Sequence, residues 1–187
     1  MSSRTAPSDD DCASGATARL FTALWPDPSL RAQLAALRDA WHWPASARPV
    51  ADDNLHVTLH FIGSFAREGI EALALRLGKV DLPALDLQAE GAAIWRGGIA
   101  VLTLRGDAAI DALHADIGSA VREFGIALDP RPFAPHVTLA RKATGAQPPA
   151  ELADLEWRAS GFVLAESRPG PPADYRVLAT WDGSGGA

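Results

Sequence analysis

A single cysteine, Cys12, and no apolar run long enough to span a bilayer are the first things this 187-residue chain lacks. One cysteine excludes a disulfide framework and a cysteine metal site within the chain. The missing run excludes a membrane-spanning helix. Met1 to Thr17, rich in Ser, Asp, Ala and Gly, has no apolar stretch of the kind a secretion signal needs. Positive charge is also scarce: 17 Lys and Arg stand against 23 Asp and Glu, a net charge of -6. Proteins that coat long duplex nucleic acid carry a basic stripe, because neutralising phosphates supplies much of their affinity. No such stripe is visible, so any grip on nucleic acid is expected to be local, on one phosphate at a chain end. No membrane partner and no long duplex are expected. A cytoplasmic monomer is the default.

What is present is an ordinary globular composition, 48% hydrophobic and 21% charged. Residues 1–17, with the acidic run Asp9 to Asp11, read as a disordered leader, 18–182 as one two-lobed domain and 183–187 as a flexible tail. Strands are expected over Arg19–Trp25, Asn54–Ile62 (closed by Gly63), Leu85–Trp95, Ile99–Leu104, Phe133–Ala140, Trp157–Ala165 and Tyr175–Trp181. Gly97-Gly98 marks a hairpin. Helices are expected over Ser29–Trp41, Arg67–Lys79 and Asp107–Phe124. The last carries Ile110, Leu113, Ile117, Val121 and Phe124 as one apolar stripe, with Gly125 ending it. Helices fall between strands and strand pairs, so the class is α+β.

One string occurs twice. Leu55-His56-Val57-Thr58-Leu59 returns as Pro135-His136-Val137-Thr138-Leu139, on an expected strand each time. Side chains on a strand alternate between faces. His56 and Thr58 therefore share one face and Val57 and Leu59 the other, and the second copy repeats the division. If the halves pack with approximate twofold symmetry, both polar pairs line one cleft.

Two histidines facing one phosphate suit hydrolysis of a cyclic phosphodiester. A neutral imidazole takes a proton from water while an imidazolium protonates the departing sugar oxygen. The ordinary imidazole pKa, about 6.5, serves both tasks near neutral pH. The threonine hydroxyls can donate to non-bridging oxygens. No metal and no cofactor is required.

Paired H-x-T strings of this kind resemble those of the 2H phosphoesterases, and the similarity is closer to the bacterial RNA 2',3'-cyclic phosphodiesterases, also called 2'-5' RNA ligases. Arg19-Leu-Phe-Thr-Ala-Leu, Asn54 to Gly63, Arg131 to Arg141, Phe162 to Ser167 and Tyr175-Arg-Val-Leu carry the resemblance, over roughly Ala18 to Trp181. It implies two pseudo-symmetric lobes, with antiparallel-rich sheets facing a central cleft and helices on the outside. It also implies metal-independent hydrolysis of RNA ends or nucleotides bearing a 2',3'-cyclic phosphate to a 2'-phosphomonoester, with 2'-5' ligation as the reverse reaction. His56 is then the proton donor, His136 the acceptor, and Arg141 a phosphate contact beside Thr58 and Thr138. Arg141 stands at odd spacing from His136, so strict alternation points it away; it reaches the cleft only if the strand bends or ends near Ala140.

Other residues have plainer expectations. His60 shares the His56 face but stands about 13 Å along the strand, too far to share a metal ion, and reads as a rim residue. His114 lies off its helix stripe and reads as solvated; His42 reads as packing in a loop. Phe21, Trp25, Trp95 and Tyr175 read as core or rim, with base stacking as the alternative. Arg48 and Arg131 read as surface charge or phosphate steering. Rival functions are a 2H phosphoesterase for another small cyclic or 2'-5'-linked nucleotide, a non-catalytic RNA-end binding module, and a metal hydrolase.

Overall fold

The computed structural model describes residues 17–152, 154–168, 170 and 174–183. The expected leader and tail lie outside these, except for Thr17, which already opens the first strand, and Gly183. Among the described residues three α-helices and nine strands follow one another. The strands are β1 (Thr17–Leu24), β2 (Arg48–Pro49), β3 (Val57–Ala66), β4 (Leu85–Trp95), β5 (Ile99–Arg105), β6 (His136–Arg141), β7 (Glu156–Ala159), β8 (Gly161–Arg168) and β9 (Asp174–Asp182). They form an antiparallel sheet in the order β7-β4-β5-β6-β3-β1-β8-β9, with β2 on β6. The halves, β9 to β3 and β6 to β7, join through one paired position, Val57 opposite Val137. The fold is α+β.

The expected strand Trp157–Ala165 is two strands broken at Ser160. β7 pairs with β4, whereas β8 pairs with β1 and β9, towards the opposite end of the sheet. Only one residue separates them, so the sheet must curl until its two ends meet. Residue preferences say "strand" for the whole stretch, but partners are set by the fold. Phe162 to Glu166 are buried without alternation, as expected for a strand covered on both faces. Glu166, buried on this strand, is held by Arg67 at the end of β3.

Helix α1 (Pro28–Asp39) begins where Asp27 accepts a hydrogen bond from the Leu30 amide, 2.9 Å, with Pro28 at the first helical position. It buries Leu30, Leu34 and Leu37. The helix expected over Arg67–Lys79 starts as a 3-10 turn and becomes α2 (Ile70–Leu77). α3 (Ala108–Arg122) is capped by Asp107 and buries Ile110, Leu113, Ile117 and Val121. Arg76 of α2 forks onto Glu123 at the end of α3, at 2.7 and 2.6 Å.

Two local irregularities position the site. β3 begins at Val57, after a 3-10 turn at Asp52–Asn54, and runs through Gly63 (φ +78°) to Ala66 instead of ending there. Against β1, Ala23 faces Thr58 but Thr22 faces His60, so Leu59 is an extra residue. Against β5, Val101 faces Thr138 but Ala100 faces Ala140, so Leu139 is extra. Each is a bulge that breaks the two-residue alternation. Leu59 and His60 are therefore both buried, as are Leu139 and Ala140, and the next residues, Phe61 and Arg141, turn outward.

Candidate active site

His56 immediately precedes β3 and His136 opens β6. Since Val57 and Val137 are paired and fully buried, the flanking residues on the other face are brought together. In that antiparallel register the two histidines are diagonal neighbours, with Cα atoms on the order of 8 Å apart. His56, Thr58, His136, Thr138 and Arg141 all line one cleft of about 660 Å³, a size that suits a nucleotide. The bulge at Leu139 is what lets Arg141 reach it.

Both imidazoles are held alike. His56 Nδ1–H donates to the Asn54 carbonyl and His136 Nδ1–H to the Ala134 carbonyl, each at 2.7 Å and each two residues upstream. That fixes the tautomer and leaves both Nε2 atoms for chemistry. At His56 the Thr58 hydroxyl lies 3.0 Å from Nε2. The Asn54 turn is itself anchored: Arg38, buried in α1, donates to Asp52 at 2.7 Å and to the Val50 carbonyl. Val50 in turn donates to Leu139 of β6 at 2.8 Å. One loop thus braces both motifs.

Aromatic rings surround the histidines. Trp25 stacks on His56 with centroids 5.2 Å apart and planes 4° from parallel, Phe21 lies at 5.1 Å, and Tyr175 meets it edge-on at 5.4 Å. Trp95 packs on His136 at 4.2 Å. The four aromatics expected to be core or rim therefore wall the imidazoles. Burial drives the His56 pKa down to about 4, opposed by the Asn54 carbonyl and reinforced by His136, where that ring is protonated, and by the charge of Arg141. Burial also lowers His136, opposed by the Ala134 carbonyl. In the free protein both are neutral at pH 7.

Several expectations need correction. His60 is not a rim residue: the bulge turns it to the interior, where it is 8% exposed and its Nε2 bonds the His114 carbonyl at 2.8 Å. His114 is not simply solvated; its ring is sandwiched between His60 (3.9 Å) and Phe133 (4.1 Å). His42 is exposed, its backbone paired with Gln147. Arg131 is tied to Asp129, away from the cleft. Arg48 does line the cleft.

Sequence reasoning missed Phe61, 69% exposed and lining the cleft. Its signal was available in the equal offset of Phe61 and Arg141 from their histidines. The two carbonyl anchors left no trace in side-chain identity.

The 2'-5' RNA ligase superfamily matches residues 26–177 of the chain. Relatives that carry the name RNA 2',3'-cyclic phosphodiesterase include proteins of two bacteria. The Escherichia coli protein is 35% identical over 130 residues, 68% of this chain and 74% of its own. The Thermus thermophilus protein is 30% identical over 173 residues, 86% and 87%. The fold is similar to a crystal structure of E. coli LigT complexed with 3'-AMP, with a TM-score of 0.76 and 28% identity, covering 90% of this chain and 99% of that one.

Proposed function

The chain belongs to the 2'-5' RNA ligase superfamily, and on that premise we propose that it hydrolyses 2',3'-cyclic phosphates at RNA or nucleotide ends, through His56 and His136 and without a metal ion. One observation carries the reading. Two imidazoles from equivalent strand starts, each with Nδ1–H tied to the carbonyl two residues upstream, present Nε2 to one cleft.

Water attacks phosphorus as His136 Nε2 takes its proton. The bond from phosphorus to the 3'-oxygen breaks, and His56, as imidazolium, gives that oxygen a proton; a 2'-phosphomonoester and a 3'-hydroxyl result. Thr58, Thr138 and Arg141 stabilise charge on the non-bridging oxygens. In the free protein His56 is neutral at pH 7, and the anionic substrate supplies the charge that favours the imidazolium. With a 5'-hydroxyl in place of water, the same transfers join the 2',3'-cyclic end to that hydroxyl through a 2'-5' linkage.

The test is incubation with RNA ending in a 2',3'-cyclic phosphate, in the presence of EDTA. A 2'-phosphate product is expected. An intact cyclic end, a 3'-phosphate product or a requirement for added divalent ion contradicts the reading.

A further inference from the structure

We propose that the cleft continues past the histidines into a second anion subsite built on Arg19, which takes the phosphodiester on the 5' side of the terminal nucleoside. The inference rests on the hydrolase reading and adds to it where the rest of an RNA chain runs.

The register of β1 lays the groove out. Ala23 is opposite Thr58, Phe21 opposite Phe61, and Arg19 opposite Ser64 on one side and Ser167 on the other. From the level of the catalytic threonine to Arg19 is four residues, about 13 Å along an extended strand. Phe61, Gly63, Arg19 and Ser167 all line the same cleft as His56, so the space is continuous over that length. Gly63 keeps it open: a Cβ there would meet nothing within 4 Å.

Charge points the same way. The cleft lining contains Arg19, Arg48 and Arg141 and no aspartate or glutamate, in a protein whose net charge is -6. Outside the cleft, Arg31, Arg38, Arg67, Arg76 and Arg131 are each matched with a carboxylate. Among the described residues Arg19 has no such partner, despite the surplus of acid. An unneutralised guanidinium, with its forked donors, is fitted to a phosphate. A nucleoside held with its base by Phe61 has its 5'-oxygen left for chain extension, and Arg19 is the cation the groove offers beyond that ring.

The substrates that test this are adenosine 2',3'-cyclic phosphate with a free 5'-hydroxyl and the same compound with a 5'-phosphate. In the wild type the 5'-phosphate should raise kcat/KM about 10-fold, through KM, as one charge-assisted contact would. In Arg19→Gln the ratio of the two should fall close to one. A ratio near one in the wild type, or a ratio unchanged in Arg19→Gln, overturns the subsite. Binding gives an arm independent of turnover: adenosine 2',5'-bisphosphate should bind about 10-fold tighter than adenosine 2'-monophosphate, and Arg19→Gln should erase the difference. Discriminating binding with neither of the two cyclic phosphates hydrolysed would sink the hydrolase reading and uphold the subsite; equal binding would sink the subsite. Matching melting curves for wild type and Arg19→Gln exclude misfolding as the cause.

Discussion

Phe61 and Arg141 are counterparts: each follows its motif histidine by five residues, and each faces the cleft because a bulge inserts one residue behind it. The halves thus share a backbone plan but offer different chemistry, a flat apolar ring on one side and a cation on the other. A nucleotide needs both.

Phe61→Ala should therefore raise KM at least about 5-fold, since base stacking on an aromatic ring is worth about 1–3 kcal/mol. The change in kcat should be small. On the proposed mechanism Arg141→Ala should instead lower kcat, because that mechanism sets its charge on the phosphate in the transition state. Steady-state kinetics on one cyclic nucleotide separates the two; equal effects on KM and kcat from both variants would refute this division.

His56→Ala and His136→Ala should each reduce turnover by about 10²-fold or more, the usual size of a lost acid or base. Thr58→Ala should cost less, yet it should also free His56 Nε2 from its hydroxyl contact. A near-normal rate in either histidine variant, measured by product formation from cyclic-ended RNA, would remove the proposed pair.

The pH profile should show the depressed imidazoles. kcat/KM reports free-enzyme groups, and His56 titrates at about 4, with His136 also below its ordinary value. Imidazolium at His56 dwindles above about pH 4 while His136 gains its neutral form, so kcat/KM should already be falling by about pH 6.5, which lies above both groups. kcat should hold to higher pH, because bound phosphate raises the imidazolium pKa. Coincident profiles for the two parameters would contradict a substrate-induced proton.

Acid should weaken the fold through a second pair of imidazoles. His60 and His114 are both lowered chiefly by burial, His114 to about 4, with Asp111 opposing and Arg122 assisting there. An unfolded histidine binds its proton near pH 6.5. Between that pH and about 4 the unfolded chain holds more protons, so stability falls as pH falls through this window and is restored above it. His114→Phe keeps a flat ring between His60 and Phe133 and removes one titrating group. Thermal melts from pH 7 to 4.5 should show a shallower loss of Tm in that variant; an unchanged slope would dismiss the stack as the source.

The motif pairing was legible because two identical strings combine with strand alternation, which needs no knowledge of neighbours. The same rule misplaced His60 and left Arg141 pointing away. A bulge is a relation between two strands, and nothing in Val57-Thr58-Leu59-His60 signals the missing partner opposite Leu59. Likewise a helix stripe counts only its own residues, so His114 read as solvated although rings from β3 and from the approach to β6 enclose it. The break at Ser160 was invisible because both flanks favour strand and only their partners differ.

That break governs the order of events during synthesis. β1 leaves the ribosome well before β8, the neighbour on its far side from β3, and before β9 beyond that; both come from the other end of the described chain. Tyr175, which closes the wall around His56, arrives with β9. A nascent protein can have both of its motif strands in hand and still lack a finished pocket, so competence must appear late and all at once. Such distant pairing predicts slow assembly for the molecule's size.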